Sequence, residues 1–212
     1  DDRLHGKYGE SALIFAGSQN PELQLMGSYF EPSRTKRRLI EYDRIPKVLL
    51  DAVLTGEDQA FFEHHGVSPK RIAGAFVANV RRGDRQGGST ITQQLARNMF
   101  LTREPTLRRK LTEALLAILL ERRLDKKQIF TMYANEVYLG QRDSFSIQGF
   151  AEAASAYFGK PLEKLTLPEA ATLAGIIPAP NTYSPVNHLD RATARRNLIL
   201  KILLESRKIT PE

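Results

Sequence analysis

The chain has 212 residues, with 31 Lys and Arg against 24 Asp and Glu for a net charge of +7, and 42% of its positions are apolar. That balance excludes a disordered tail, and 14 Gly and 11 Pro scattered without a period exclude a collagen-like or low-complexity chain. Cysteine is absent, which removes disulfides, thiolate zinc sites and a thiol nucleophile, while a pI near 9.7 favours polyanionic partners: nucleic acid, an anionic lipid surface or a phosphate-bearing substrate.

Residues 1–44 are expected to form an N-terminal strand and loop segment, because the short apolar runs Ser11 to Ala16 and Leu23 to Phe30 are separated by Gly17-Ser18-Gln19-Asn20-Pro21. The basic cluster Ser33 to Arg38 reads as a solvated loop, with lipid-headgroup contact as the alternative. No start Met and no leader pattern opens the chain at Asp1, so it is expected to be an excised piece whose targeting segment has been removed.

From residue 45 to 212 the pattern is helical and reads as one mainly α domain. Ser68-Pro69 is an N-cap followed by proline at the first helical position, Ile72, Phe76 and Val80 recur at spacing four, and Gly83 ends that helix. Thr90 with Gln93 makes a capping box for a helix reaching about Phe100, and Asp125 with Gln128 allows another for a helix ending at Gly140. Thr106 opens a helix to about Arg123, Ser146 one that stops at Gly159, Thr166 with Pro168 one more, and Asp190 the last, with Leu198, Ile202 and Leu203 facing inward. The Thr106–Arg123 helix is apolar around most of its circumference, which predicts a central position. Arg109, Lys110 and Glu113 share one of its faces, so Glu113 is expected to be a buried carboxylate held ionised by two cations. No stretch approaches the ~18–20 uncharged apolar residues of a spanning helix. Ala114 to Leu120 is seven long, and the run from Ala170 to Asn187 is broken by Pro178, Pro180 and Pro185.

Two segments carry candidate chemistry. Gly56 to Gly66 packs Glu57, Asp58 and Glu63 with His64 and His65 between glycines, a density suited to proton transfer; its structural reading is a polar loop anchored in the core by Phe61 and Phe62. Adjacent His64 and His65 point about 100° apart on a helix and lack a spaced partner, which argues against zinc. In Gln86-Gly87-Gly88-Ser89-Thr90, two glycines admit close approach to a ligand, and the helix start behind them offers free N–H groups and a positive dipole end, suited to a diphosphate. The Gly-Lys-Ser/Thr of a nucleotide-binding loop is missing, and an ordinary capped helix is the plainer reading.

In order, Glu57-Asp58-x-x-Phe61-x-x-His64-x-Gly66, then Gly87 to Leu95, then Arg109-Lys110-x-x-Glu113, resemble the first three signatures of the peptidoglycan glycosyltransferase domain of class A penicillin-binding proteins and monofunctional transglycosylases. Lys127, Ile129 and Tyr133-x-Asn135-x-x-Tyr138-x-Gly140 resemble the fourth, and Leu167-x-x-Glu169-x-Ala171-x-Leu173-Ala174-Gly175 with Pro178 the fifth. Three departures stand out: Gly56 where the family usually has Ala or Ser, Arg97 where Lys is more usual, and a loop Gly83 to Gln86 one residue short.

The resemblance implies a lysozyme-like glycosyltransferase fold with a larger helical lobe and a small membrane-associated lobe. The small lobe would run from about Val67 to Gly88, with Ile72, Phe76, Val77 and Val80 as its greasy surface and Arg71, Arg81 and Arg82 as its rim. It implies polymerisation of lipid II into β-1,4-linked glycan with inversion and release of undecaprenyl diphosphate. Its site residues map here onto Glu57 as general base, Asp58 and His64 orienting it, and Glu113 as second essential carboxylate, positioning cations or a metal. Arg97, Arg109 and Lys110 match the diphosphate cations, and Ser89, Thr90, Gln93 and Asn98 the donor groove. No cofactor is obligatory by this resemblance, with Mg or Mn as a divalent alternative at the diphosphate. Implied partners are lipid II, the nascent strand, the bacterial membrane surface and moenomycin-type inhibitors. Implied, too, is a location on the outer face of the cytoplasmic membrane, anchored by a segment outside this sequence. A cell-wall hydrolase would need one acidic Glu and no diphosphate cations, so Arg97, Arg109 and Lys110 argue against it. No nucleic-acid partner is expected, because no helix carries the clustered Arg, Asn and Gln of a base reader.

Overall fold

The computed structural model describes residues 39–69, 71, 74, 88–101, 106–142 and 145–210, all within one compact unit, Lys36–Glu212. The expected N-terminal strands, the basic cluster 33–38, the greasy surface of Ile72, Phe76, Val77 and Val80, its rim residues Arg81 and Arg82, and the loop 83–86 lie outside the described residues.

The described part is mainly α, as expected. Its helices are α1 (Lys47–Glu57), α2 (Ile91–Phe100), α3 (Leu107–Arg123), α4 (Lys126–Glu136), α5 (Phe150–Phe158), α6 (Leu167–Ile176) and α7 (Leu189–Glu205). Both capping boxes form: Thr90 Oγ1 accepts from Gln93 N while Gln93 Oε1 accepts from Thr90 N, and Asp125 with Gln128 repeats the exchange at α4. Thr106 caps α3 and Thr166 caps α6, each where its sequence signal lies. Two donors otherwise orphaned at a helix start are met by each box, which sets where the helix begins to within a residue.

Two layers position the site. α6 packs on both α1 and α7, burying Leu49 and Val53 of α1, Leu173 and Ile176 of α6, and Ile199 and Leu203 of α7. α2 lies against α3 and α4. An aromatic chain in tilted and edge-on contact runs from the loop after α1 through α4 to α5: Phe61 to Phe130 at 6.0 Å, Phe130 to Tyr133 at 6.2 Å, and Tyr133 to Phe150 at 6.4 Å between ring centroids. Phe61 is thus anchored as expected, but Phe62 is half exposed.

Four expectations are corrected. α4 stops at Glu136 rather than Gly140, and Tyr138–Arg142 (β1) pairs antiparallel with Phe145–Gln148 (β2), so Ser146 sits in a strand and not at a helix start. The next helix instead starts after Gly149, whose φ of 77° suits glycine and where a Cβ would lie 2.8 Å from the Asn135 carbonyl oxygen. In α7, which begins at Leu189 with no side-chain cap, Leu203 is buried as expected, but Leu198 is exposed and Ile199 is buried in its place. Finally, α3 is not central. Its buried residues are Glu113, Ala117 and Leu120, while Leu107, Leu111, Leu115 and Leu119 are 88, 69, 63 and 50% exposed. The apolar circumference is real, but it belongs to a helix that turns its carboxylate inward and its leucines outward.

Candidate active site

Glu57 is the last residue of α1 and is nearly buried, with Oε2 accepting from Gln94 Nε2 of α2 at 2.6 Å. Gln94 is held in turn by Tyr133 of α4, whose hydroxyl donates to Gln94 Oε1 at 3.1 Å. Burial pushes the Glu57 carboxyl above its ordinary pKa, opposed by the Gln94 hydrogen bond and by the charges of Arg71, Arg195 and Arg97. A carboxylate raised in this way is a better base than an exposed one, which is the property a general base near neutral pH needs. The same desolvation raises the Tyr133 hydroxyl well above its usual value, so it stays a proton donor to Gln94.

Asp58 caps α1 and is fully buried. Its Oδ2 accepts from the Ile91 amide at 3.0 Å and is 2.8 Å from His64 Nε2. His64 Nδ1 accepts from the Gly66 amide at 3.2 Å, which assigns the proton to Nε2 and makes that nitrogen the donor to Asp58. Gly66 has φ of 91°, and a Cβ there would stand 2.7 Å from the Ala117 backbone of α3, so only glycine fits. Its carbonyl accepts from Thr90 Oγ1 at 2.6 Å, tying the His64 turn to the start of α2. Behind this turn Lys126 donates to the His64 carbonyl at 2.6 Å and to Glu121 at 2.7 Å, and Thr92 donates to the same Glu121 oxygen at 2.6 Å. Asp58 and His64 therefore fix the loop that follows Glu57.

The second cluster forms as the sequence predicts. Glu113 is fully buried and accepts from Arg109 Nη1 at 2.9 Å and from Lys110 Nζ at 2.6 Å. Lys110, about half exposed, also donates to Ser89 Oγ at 2.6 Å. Both oxygens of Glu113 are occupied by cations, so it holds their heads in place while Lys110 keeps a face open to an incoming anion. The two clusters join through Arg71: its Nη2 donates to the Ser89 carbonyl at 3.3 Å and its Nε lies 3.9 Å from Asp58 Oδ1.

A buried base, a buried carboxylate bearing two cations, and a glycine-led helix start between them reproduce in space the order of the sequence blocks. Comparison with known families agrees: the transglycosylase family model matches residues 23–204. The chain belongs to the transglycosylase family. It is 49% identical over 178 residues to penicillin-binding protein 1A of Aquifex aeolicus, covering 84% of this chain and 24% of that protein. It is 44% identical over 185 residues to penicillin-binding protein 1B of Vibrio cholerae, covering 87% and 24%. Against penicillin-binding protein 1A of Escherichia coli it is 44% identical over 191 residues, covering 89% and 22%. The transglycosylase chain thus spans less than a quarter of the length of these relatives. A crystal structure of penicillin-binding protein 1A from Haemophilus influenzae aligns with a TM-score of 0.46 at 22% identity, covering 84% of this chain and 16% of that one.

Not every expected residue of the transglycosylase site faces it. Thr90 and Gln93 are buried and form the capping box, Gln93 Oε1 on the Thr90 amide and Thr90 Oγ1 on the Gln93 amide, and so shape the start of α2. Arg97 is half-buried on α2 within electrostatic reach of Glu57, and Asn98 is exposed one residue on. Arg71, expected on the rim of a lipid-facing patch, points instead at Asp58 and Ser89. Gln94 and Tyr133 were not among the expected site residues. The signal for Gln94 is the pair Gln93-Gln94: the box consumes the first, and the second, about 100° further round the helix, faces Glu57. Among the described residues no group of three or more His, Asp and Glu could hold a metal. With both Glu113 oxygens already accepting from Arg109 and Lys110, these residues do not fit a protein-held divalent ion.

Proposed function

We propose that this transglycosylase domain polymerises lipid II, joining the 4-hydroxyl of an acceptor sugar to the anomeric carbon of a donor glycan that leaves undecaprenyl diphosphate. The observation that carries the reading is the pairing of a desolvated base, Glu57, with a buried carboxylate that presents two cations, linked across Ser89. Glu57 takes the proton of the acceptor hydroxyl as its oxygen bonds to the anomeric carbon. The bond from that carbon to the diphosphate oxygen breaks from the opposite face, its electron pair leaving on the diphosphate, so configuration inverts. Lys110, with Arg109 beside it on Glu113, offsets the charge that develops on the leaving group, and their fixed positions need no rearrangement during the step, while Arg97 adds positive charge from α2 near Glu57. Gln94 holds the base from α2.

A substrate with a lipid tail would put the proposed reaction at a bilayer, and the family resemblance implies the outer face of the cytoplasmic membrane. We propose that the domain seats on anionic lipid through the exposed leucine stripe of α3, whose face also carries the exposed Arg108 and Arg122. No helix among the described residues is long and apolar enough to cross a membrane, so seating of this kind is interfacial. The chemistry is tested with labelled lipid II, resolving polymer from hydrolysed sugar. Glu57→Gln is expected to abolish polymer while lipid II binding persists, because it removes a base and few contacts. Near wild-type turnover in that variant would sink the assignment, and release of free sugar by the wild type would favour a hydrolase.

A further inference from the structure

We infer that Arg71 is a positioning residue of the transfer reaction, joining the carboxylates at the end of α1 to the cation cluster of α3 through Asp58 on one side and Ser89 on the other. The inference rests on the proposed reaction for its consequence and on geometry for its premise.

Ser68 begins a helical turn in which the Arg71 amide returns to Ser68, 3.1 Å from its carbonyl and 3.4 Å from Oγ, so Arg71 stands one turn inside the chain entering from Gly66. Its guanidinium reaches back under the site. Asp58 Oδ1 is buried and has no hydrogen-bond donor, and the cationic group facing it is Arg71 Nε at 3.9 Å. The other carboxylate oxygen is already taken by the Ile91 amide and His64. A buried carboxylate with one oxygen unserved is costly unless a charge compensates it, and Arg71 supplies that charge. Its Nη2 meanwhile bonds the Ser89 carbonyl, and the Ser89 hydroxyl holds Lys110. The planar fork thus spans two partners that a lysine's single head could not serve together.

Arg71 also bears on the base. The groups facing Glu57 are Gln94 and Arg97 from α2, Tyr133 from α4, Arg195 from α7, the adjacent Asp58, and Arg71 itself. Three of these are cations that favour the ionised carboxylate, so removing Arg71 weakens that support and moves Glu57 further up from its ordinary value.

Arg71→Ala and Arg71→Lys separate the roles. In the lipid II assay Arg71→Ala is expected to lower kcat/KM about tenfold to a hundredfold, with the acid limb of its pH profile moved to higher pH. Arg71→Lys is expected to keep the limb near its wild-type position and to recover part of the rate. The second measurement needs no substrate: the Glu57 carboxyl carbon signal, followed by NMR against pH, should titrate at higher pH in Arg71→Ala than in wild type or Arg71→Lys. An unmoved Glu57 titration in a folded Arg71→Ala protein overturns the inference whether or not the chain polymerises. A shifted titration in a chain that makes no polymer supports the positioning role and rejects the reaction instead. If Arg71→Ala fails to fold, an Arg71→Lys variant with wild-type rate, KM and pH limb overturns the two-partner role.

Discussion

Glu57 is ionised at a cost, and the sign of that cost is measurable. Its folded pKa lies above the ordinary carboxylate value because it is desolvated. Between the unfolded and folded values the native state therefore binds more protons than the unfolded one, and stability falls as pH rises through that window. Glu57→Gln removes the titration but keeps an acceptor for Gln94, so it is expected to raise Tm at neutral pH and to lose that advantage below about pH 4, checked by thermal melts across pH. Gln94→Leu should show itself in the pH dependence of activity. Without the amide that lowers it, the Glu57 pKa climbs and the acid limb of kcat/KM moves to higher pH, read from polymerisation rates in buffers of matched ionic strength. Glu113→Gln leaves Arg109 and Lys110 without a charged acceptor. It should cost about 1.5–3 kcal/mol in a denaturant melt, since both cations retain some solvent, while polymer formation falls out of proportion to stability. The Arg109, Lys110 and Glu113 cluster was legible because i,i+3 and i,i+4 spacing on one helix fixes geometry without reference to the rest of the fold. Gln94, Tyr133 and Arg71 were not, because each acts across elements that sequence spacing does not bring together.

At the scale of elements, local signals set the helix starts and long-range packing set what those signals left open. Capping boxes at Thr90 and Asp125 placed α2 and α4 from four residues each. α4 ends four residues before the sequence predicts because Val137 to Gly140 continues an apolar pattern that suits either helix or strand, and the pairing of Tyr138 with Gln148 decides it. Asn135 belongs to the same correction: its side chain accepts from the Ile40 amide at 2.9 Å and donates to the Ile40 carbonyl at 3.0 Å, clasping the start of the described chain to α4. Gly66 is the turn on which the site hinges, since α3 backbone passes where a Cβ would be and Thr90 hangs from its carbonyl. Gly66→Ala therefore combines a left-handed backbone cost of about 1–2 kcal/mol with overpacking of about 1–3 kcal/mol. Urea melts should show a loss of a few kcal/mol, together with loss of polymerisation. A loss under about 0.5 kcal/mol, the range of a plain surface change, would show that the turn is not fixed by α3.

For the molecule as a whole, α3 is where the proposed catalysis and the proposed membrane seating meet. Glu113 on its inner side holds Arg109 and Lys110, and the leucine stripe on its outer side is exposed among the described residues. Periodicity alone could not distinguish that arrangement from a central helix, because an apolar circumference is satisfied equally by neighbouring protein or by lipid. The distinction has an energetic signature. Leucines packed in a core cost about 2–5 kcal/mol when truncated, whereas exposed ones move stability by no more than about 0.5 kcal/mol. Leu111→Ser with Leu115→Ser should accordingly leave the melting curve nearly unchanged. Moving apolar side chains from water to lipid is worth about 25 cal/mol per Å² of buried surface, so the double variant should float at least about tenfold less with vesicles containing anionic phospholipid. Raised salt should weaken wild-type binding further through Arg108 and Arg122, each worth about 1 kcal/mol at an anionic surface. A large drop in Tm would return the stripe to the protein core. Unchanged flotation in a stable double variant would place the bilayer contact on some other surface.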